Sequence, residues 1–258
     1  MKAQPHQEIE LRDGGRGASQ VTKRIVEWSP RTKARMAGVF EFLEGLTSSG
    51  GQVFILGSLV VAGNAATTAA NILAHEPLFW LGFASSLIAV AFHLAWAFLF
   101  YDLFKPVNRS VSVLATFVIL VGCAMQALTS LLYLAPLLIL QGGSAFSAFT
   151  PHQVQDLALV FLTLNAQAFD IYLVFFGLWC VLIGYLIFRS TFLPRILGVL
   201  LAIDGVGWML YLLPPLANHL FLFIAVASGL AEIPLQLWLL VMGVNAERWK
   251  EQASKERP

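Results

Sequence analysis

Long apolar runs dominate the chain, broken at a few points by short polar and basic segments. Three stretches, 36–104, 110–188 and 196–247, contain no Lys or Arg. At roughly 20 apolar residues per crossing, each can traverse a bilayer and return. The runs predict six helical spans, at about 37–62, 78–104, 111–140, 167–188, 196–216 and 221–244. They lack the alternation that a membrane barrel requires. The predicted fold class is therefore all-α, a polytopic membrane helix bundle of six transmembrane helices with short outer helices.

Three local signals refine this pattern. In the first span, Thr47-Ser48-Ser49-Gly50-Gly51-Gln52 places non-apolar residues mid-run. Each glycine costs a helix about 1 kcal/mol relative to Ala, and a break at that depth is tolerated only under protein or beside a water-filled cavity. Asn64 to Pro77 reads as a short helix capped by Asn64 and ended by Pro77. Thr150-Pro151-His152-Gln153 is a helix start, with a Thr cap, Pro first and Gln third. It predicts that 152–166 extends the fourth span outward.

Composition agrees with a membrane protein. The 258 residues are 58% hydrophobic and 12% charged, where a soluble domain carries about 25% charged residues. All sixteen Lys and Arg fall into four segments: eight at or before Arg35, Lys105 with Arg109, Arg189 with Arg195, and four from Arg248 onward. Paired crossings bring every one of them to a single side. Basic residues are retained on the cytoplasmic face, which predicts a multi-pass protein of the cell (inner) membrane with both termini cytoplasmic. The expected organisation is a cytoplasmic tail over 1–35, a transmembrane domain over 36–246 and a cytoplasmic tail over 247–258. Within the first tail, 1–20 reads as disordered. Residues 22–35 read as a basic segment lying against anionic lipid or as a solvated linker. The polar first 20 residues predict no cleavable signal peptide. Cys123 and Cys180 both fall inside spans and form no CxxC motif. Nucleic-acid binding has no support.

Polar residues inside the spans carry the candidate chemistry. Gly82, Ser86, Ala89, His93 and Ala97 recur at helical spacing in the second span. Gly122, Gln126, Thr129 and Tyr133 do so in the third, and Thr163, Gln167, Asp170, Gly177 and Gly184 in the fourth. Ala225, Ser228, Gly229, Glu232, Gln236 and Gly243 form the stripe of the sixth. Each set shares one helical face. Small residues let helices approach, and polar ones seek partners away from lipid, so these faces are expected to converge.

Asp170, Asp204 and Glu232 are expected to lie deep, with Glu41 and Glu44 nearer the cytoplasmic end. Burial disfavours a charged carboxyl, so each stays protonated or finds a cation. His93 is the one nearby base, and its depth matches that of Glu232, which predicts a pair across the second and sixth spans. Gln126 and Gln167 are candidate orienting neighbours. Asp204 beside Gly205 and Gly207 can instead pair locally. Two readings stay open: a proton- or cation-linked site or small binding cavity, and a set of protonated acids joining helices by hydrogen bonds.

His75, His152 and His219 each occupy an outer loop without HxxxH spacing, so no metal site is assigned. There is no nucleophile elbow, phosphate loop or HExxH motif, and no catalytic residue or cofactor is assigned. The expected partners are the lipid bilayer and a proton, cation or small molecule. The leading expectation is linked transport or sensing. The alternatives are a membrane-embedded enzyme acting on a lipid or isoprenoid, and a structural or partner-binding subunit.

Several blocks carry a family resemblance. They include Ala70-Asn-Ile-Leu-Ala-His-Glu-Pro-Leu-Phe79 with Leu81-Gly-Phe83, Leu103-Phe-Lys-Pro-Val107 and Phe146-Ser-Ala-Phe-Thr-Pro151. The most specific runs from Asp170 through Leu173-Val-Phe-Phe-Gly177 and Gly184-Tyr-Leu-Ile-Phe-Arg-Ser190 to Leu193-Pro-Arg-Ile-Leu-Gly198. Glu232, Leu237-Trp-Leu-Leu240 and Gly243 extend it. Over roughly 34–246 the chain resembles a bacterial integral-membrane family, domain of unknown function 4386. The resemblance implies an all-helical membrane protein, adds interest to Asp170 and Glu232, and brings no activity. Members of that family often carry His near the positions of Asn165 and Trp179, which this chain lacks, and a more apolar first helix.

Overall fold

The computed structural model describes residues 28–255, and no strand occurs among them. α1 (Pro30–Ser49) starts at Ser29, whose hydroxyl accepts from the Thr32 N–H at 3.1 Å. The polar run beyond it does not break the helix. The chain continues as a π-helical segment (Gly50–Leu56) and one further α-turn (Gly57–Leu59). Protein covers part of this segment: Gly51 packs against Ser86 and Gly82, and the Tyr133 hydroxyl donates to the Gly51 carbonyl at 3.4 Å.

The outer helix α2 (Ala65–Ala74) is capped by Asn64, which accepts from the Thr67 N–H at 2.9 Å. Pro77 falls in the first turn of α3 (Glu76–Phe104), so it starts the next helix after a turn at His75. α4 is Arg109–Leu140. α5 (Pro151–Arg189) is one helix of 39 residues, opened by the expected capping box between Thr150 and Gln153. α6 (Arg195–Met209) ends in a 3₁₀ turn over Leu210–Leu212. A short α7 (Pro214–His219), α8 (Phe221–Val241) and α9 (Ala246–Lys255) complete the chain.

Among the described residues five helices are long and apolar enough to cross a membrane: α3, α4, α5, α6 with its 3₁₀ turn, and α8. Large apolar side chains on their outer faces stand open, among them Phe117 at 65% and Leu222 at 76% exposure. A surface so broadly apolar suits lipid rather than water.

Packing closes six helices into a ring. α1 packs on α3, α3 on α4, α4 on α5, α5 on α6, α6 on α8, and α8 returns to α1. At the basic end one core draws on all six, centred on Trp96, Phe100, Trp179, Ile183, Leu201 and Leu239. Outward it divides in two. Leu56, Phe79, Tyr133 and Leu162 form one cluster, and Tyr172, Tyr211, Ala217 and Ile224 form the other. α5 and α6 meet through reciprocal glycines. A Cβ on Gly177 would stand 2.5 Å from the Gly205 carbonyl oxygen, and one on Gly184 would stand 2.6 Å from that of Gly198.

The basic end is tied together by side chains on backbone and by one buried ion pair. Of the basic segment, residues 30–35 form the first turns of α1 behind the Ser29 cap, and 22–27 lie outside the described residues, as does the 1–20 tail. Lys33 donates to Asp102, which also accepts from Lys105. Arg35 donates to the Val241 carbonyl at 2.9 Å and Arg31 to that of Met242 at 3.3 Å. These carbonyls sit at the end of α8, where cations offset the helix dipole. The C-terminal residues form α9, whose Trp249 indole donates to the Leu103 carbonyl at 2.8 Å.

Candidate functional site

A connected polar group lies inside the ring at mid-length. Gln126 on α4 donates from Nε2 to Glu44 Oε1 on α1 at 2.7 Å. Its Oε1 lies 3.0 Å from His93 Nδ1 on α3. His93 Nδ1 is also 3.8 Å from Glu44 Oε1. With the Gln126 amide oriented this way, Oε1 is an acceptor, so His93 carries a proton on Nδ1. Its Nε2 is buried without a hydrogen-bond partner. Packing fixes the ring: it stacks on Trp96 at 4.3 Å and meets the edge of Tyr172 at 5.7 Å. His93 is 0% exposed, and Glu44 and Gln126 are 7% and 4% exposed.

A second group faces it from α6 and α8. Glu232 accepts on Oε1 from the Ser228 hydroxyl at 2.8 Å and the Trp208 indole at 3.2 Å. Asp204 is fully buried beside Glu232, Ser228 and Cys180, yet neither carboxyl oxygen reaches hydrogen-bond geometry. Glu41 joins the two groups. It is an electrostatic neighbour of both Glu44 and Glu232, and its Oε2 is buried without a partner.

Helix arithmetic places these groups at one level. Glu44 is nine residues past Arg35, Asp204 nine past Arg195, and Glu232 nine before Val241. At 1.5 Å per residue each lies about 14 Å from the basic end, near the middle of a hydrocarbon core about 30 Å thick.

The expected partnership of His93 is not the one found. Its hydrogen bond goes to Gln126 and its nearest carboxylate is Glu44, while Glu232 is held by Trp208 and Ser228. The rotation of α8 explains the difference: Glu232 faces α6, where an indole and a hydroxyl supply its donors. Gln167 is exposed and is not among the residues bonded to this cluster. Asp170 is half-buried and lies nineteen residues before Arg189. That is about 28 Å along the helix, at the outer edge of the core rather than at its centre. Together with Gln52, Thr163 and Asn165, it lines a separate groove of about 610 Å³.

Glu41 and Glu44 join the cluster although they were expected nearer the basic end. A signal for them exists in the sequence. Lys33, Ala37, Glu41, Glu44, Ser48 and Gly51 recur every three or four residues and are all buried, the same spacing that marks the other polar stripes.

Among the described residues no group of three or more His, Cys, Asp or Glu is placed to hold a metal ion. His152 pairs instead with Asp156 at 2.8 Å on the exposed start of α5. The carboxyls of this site can hold protons, and the Gln126 amide fixes Glu44 and His93 with Oε1 and Nδ1 3.8 Å apart.

Comparison with known proteins gives one assignment. Residues 36–243 match the family model described as Domain of unknown function (DUF4386), and the chain belongs to that family. No curated protein and no solved structure matches it.

Proposed function

We propose that this member of the DUF4386 family is a multi-pass membrane protein whose interior acids bind and pass protons or a small cation, in transport or in sensing. α1 with its π-helical continuation serves as a sixth crossing, and both termini lie on the cytoplasmic side of the cell membrane. The observation that carries this reading is the Glu44–Gln126–His93 network. Three helices contribute to it at mid-depth, and Glu41, Asp204 and Glu232 adjoin it. No Lys or Arg occurs within the apolar stretches that hold these acids, so their charge must be balanced by protons or by a bound cation. Ionisable groups kept in a membrane interior are costly and serve function by default.

Flux into proteoliposomes tests this reading. Purified protein is reconstituted with an internal pH dye, and proton or sodium gradients are imposed. Wild-type flux above that of empty vesicles is expected, with Glu44→Gln and Glu232→Gln reduced to the empty-vesicle level. Flux unchanged in both variants rejects the role of the acids.

A further inference from the structure

The groove between the end of α1 and the outer half of α5 has a chemistry of its own. Its walls are mostly apolar, with Val53, Leu56, Val60, Leu159, Leu162 and Phe169 among them. About 610 Å³ falls within the roughly 300–1,000 Å³ range of small-molecule sites. The π-helical segment helps to form it, because the wider turn carries Gln52 and Val53 to its lining. Such segments occur often at functional sites.

The polar atoms facing this space are mainly acceptors. The Thr163 hydroxyl spends its proton on the Leu159 carbonyl at 3.0 Å, leaving lone pairs. Asn165 spends its amide on the Thr129 carbonyl at 2.8 Å, leaving its own side-chain oxygen as an acceptor. Asp170 offers a carboxylate, and no Lys, Arg or His lines the groove. Only the Gln52 amide can supply donors there. An occupant matched to this lining brings N–H donors, a positive charge and an apolar body.

Ala62 and Gly63 mark the outer end of the groove, and Asp170 stands about 28 Å from Arg189 along α5, at the outer edge of the hydrocarbon core. An amine that keeps its charge at that level and its apolar body among the groove's side chains matches both parts of the lining.

We propose that this groove binds an amphipathic organic amine in its protonated form, with the ammonium on Asp170 and the apolar body along Val53, Leu56 and Leu162. The site is separate from the interior acids, and its occupancy does not depend on their proposed role.

Dansylcadaverine, a primary alkylamine with an environment-sensitive fluorophore, is a suitable probe. Two analogues accompany it: N-pentyl dansylamide, which lacks the amine, and the N-trimethylated amine, which keeps the charge without N–H donors. Each is titrated into the full chain in nanodiscs, with protein-free nanodiscs subtracted. Saturable, blue-shifted binding of the amine is expected, weakened roughly ten- to hundredfold in Asp170→Asn by loss of a charge-assisted hydrogen bond. Val53→Trp, which fills the groove from an open position, is expected to abolish it, and both analogues are expected to bind more weakly than the amine. Absence of saturable binding overturns the proposal. So does equal affinity for Asp170→Asn and wild type, or equal affinity for the amine and N-pentyl dansylamide. Retained binding in Val53→Trp places the probe elsewhere and also overturns it. Glu44→Gln is expected to bind the amine normally, which keeps this outcome distinct from that of the flux assay.

Discussion

The Lys33 ammonium donates to the Asp102 carboxylate and joins α1 to α3 through an ion pair whose two side chains are each 6% exposed. Removing Lys33 leaves the buried Asp102 carboxylate with the half-exposed Lys105 alone, a loss that approaches but does not reach that of a fully unpaired buried charge, about 3–5 kcal/mol. Lys33→Met is therefore expected to lower stability markedly in chemical unfolding in detergent. Lys105→Met should cost less, because Lys105 is 40% exposed and meets the other carboxylate oxygen. Equal effects of the two would show that burial does not govern the pair.

Gly198 is expected to reject any side chain. A Cβ there would stand 2.5 Å from the Gly184 carbonyl oxygen and 2.8 Å from the Phe188 nitrogen. Both are backbone atoms that cannot step aside, so Gly198→Ala should cost about 1–3 kcal/mol. Gly45→Ala meets nothing within 4 Å and should gain up to about 1 kcal/mol from helix propensity. Melting temperatures of the two variants should move in opposite directions.

Gly82 gives a sharper test, because its obstruction can be removed. A Cβ would fall 2.0 Å from the Tyr133 hydroxyl and 2.8 Å from Ile55. Gly82→Ala is expected to destabilise, and Tyr133→Phe in the same chain should restore part of the loss. A double-mutant cycle with no coupling would place the tyrosine elsewhere.

Gln126→Leu removes both hydrogen bonds that connect Glu44 to His93. Leaving these buried groups unsatisfied should cost about 1–3 kcal/mol. The histidine ring NMR signals should shift with it. A variant with wild-type stability and unchanged ring signals would dissolve the network.

Orientation can be read from cysteine labelling, since Cys123 and Cys180 are both buried. His152→Cys on α5 should react with an impermeant maleimide on intact cells, and Ser254→Cys on α9 only after lysis. Reaction of both from the same side would contradict the proposed topology.

Much of the fold was legible because apolar runs and caps are local signals. Asn64 and Thr150 start helices in the structure as their sequence context predicts. The cluster was less legible because depth along a helix does not give rotation about it. Glu232 matches the acids of α1 in depth, yet it turns to Trp208 and Ser228. The start of α1 was hidden for a related reason. Lys33 reads as a solvated cation until Asp102, 69 residues away, takes it out of water. The polar run at Thr47–Gln52 marked an irregularity correctly, but sequence alone does not distinguish a broken helix from a widened one.

Closure of the ring has a consequence for how the chain is made. α1 is the first described helix to be synthesised, and its neighbour α8 is nearly the last; Arg35 and its acceptor Val241 stand 206 residues apart. Chains emerge N-terminus first. A nascent bundle therefore carries Glu41 and Glu44 along an open flank until α8 is inserted, and the interior becomes sealed only as translation finishes.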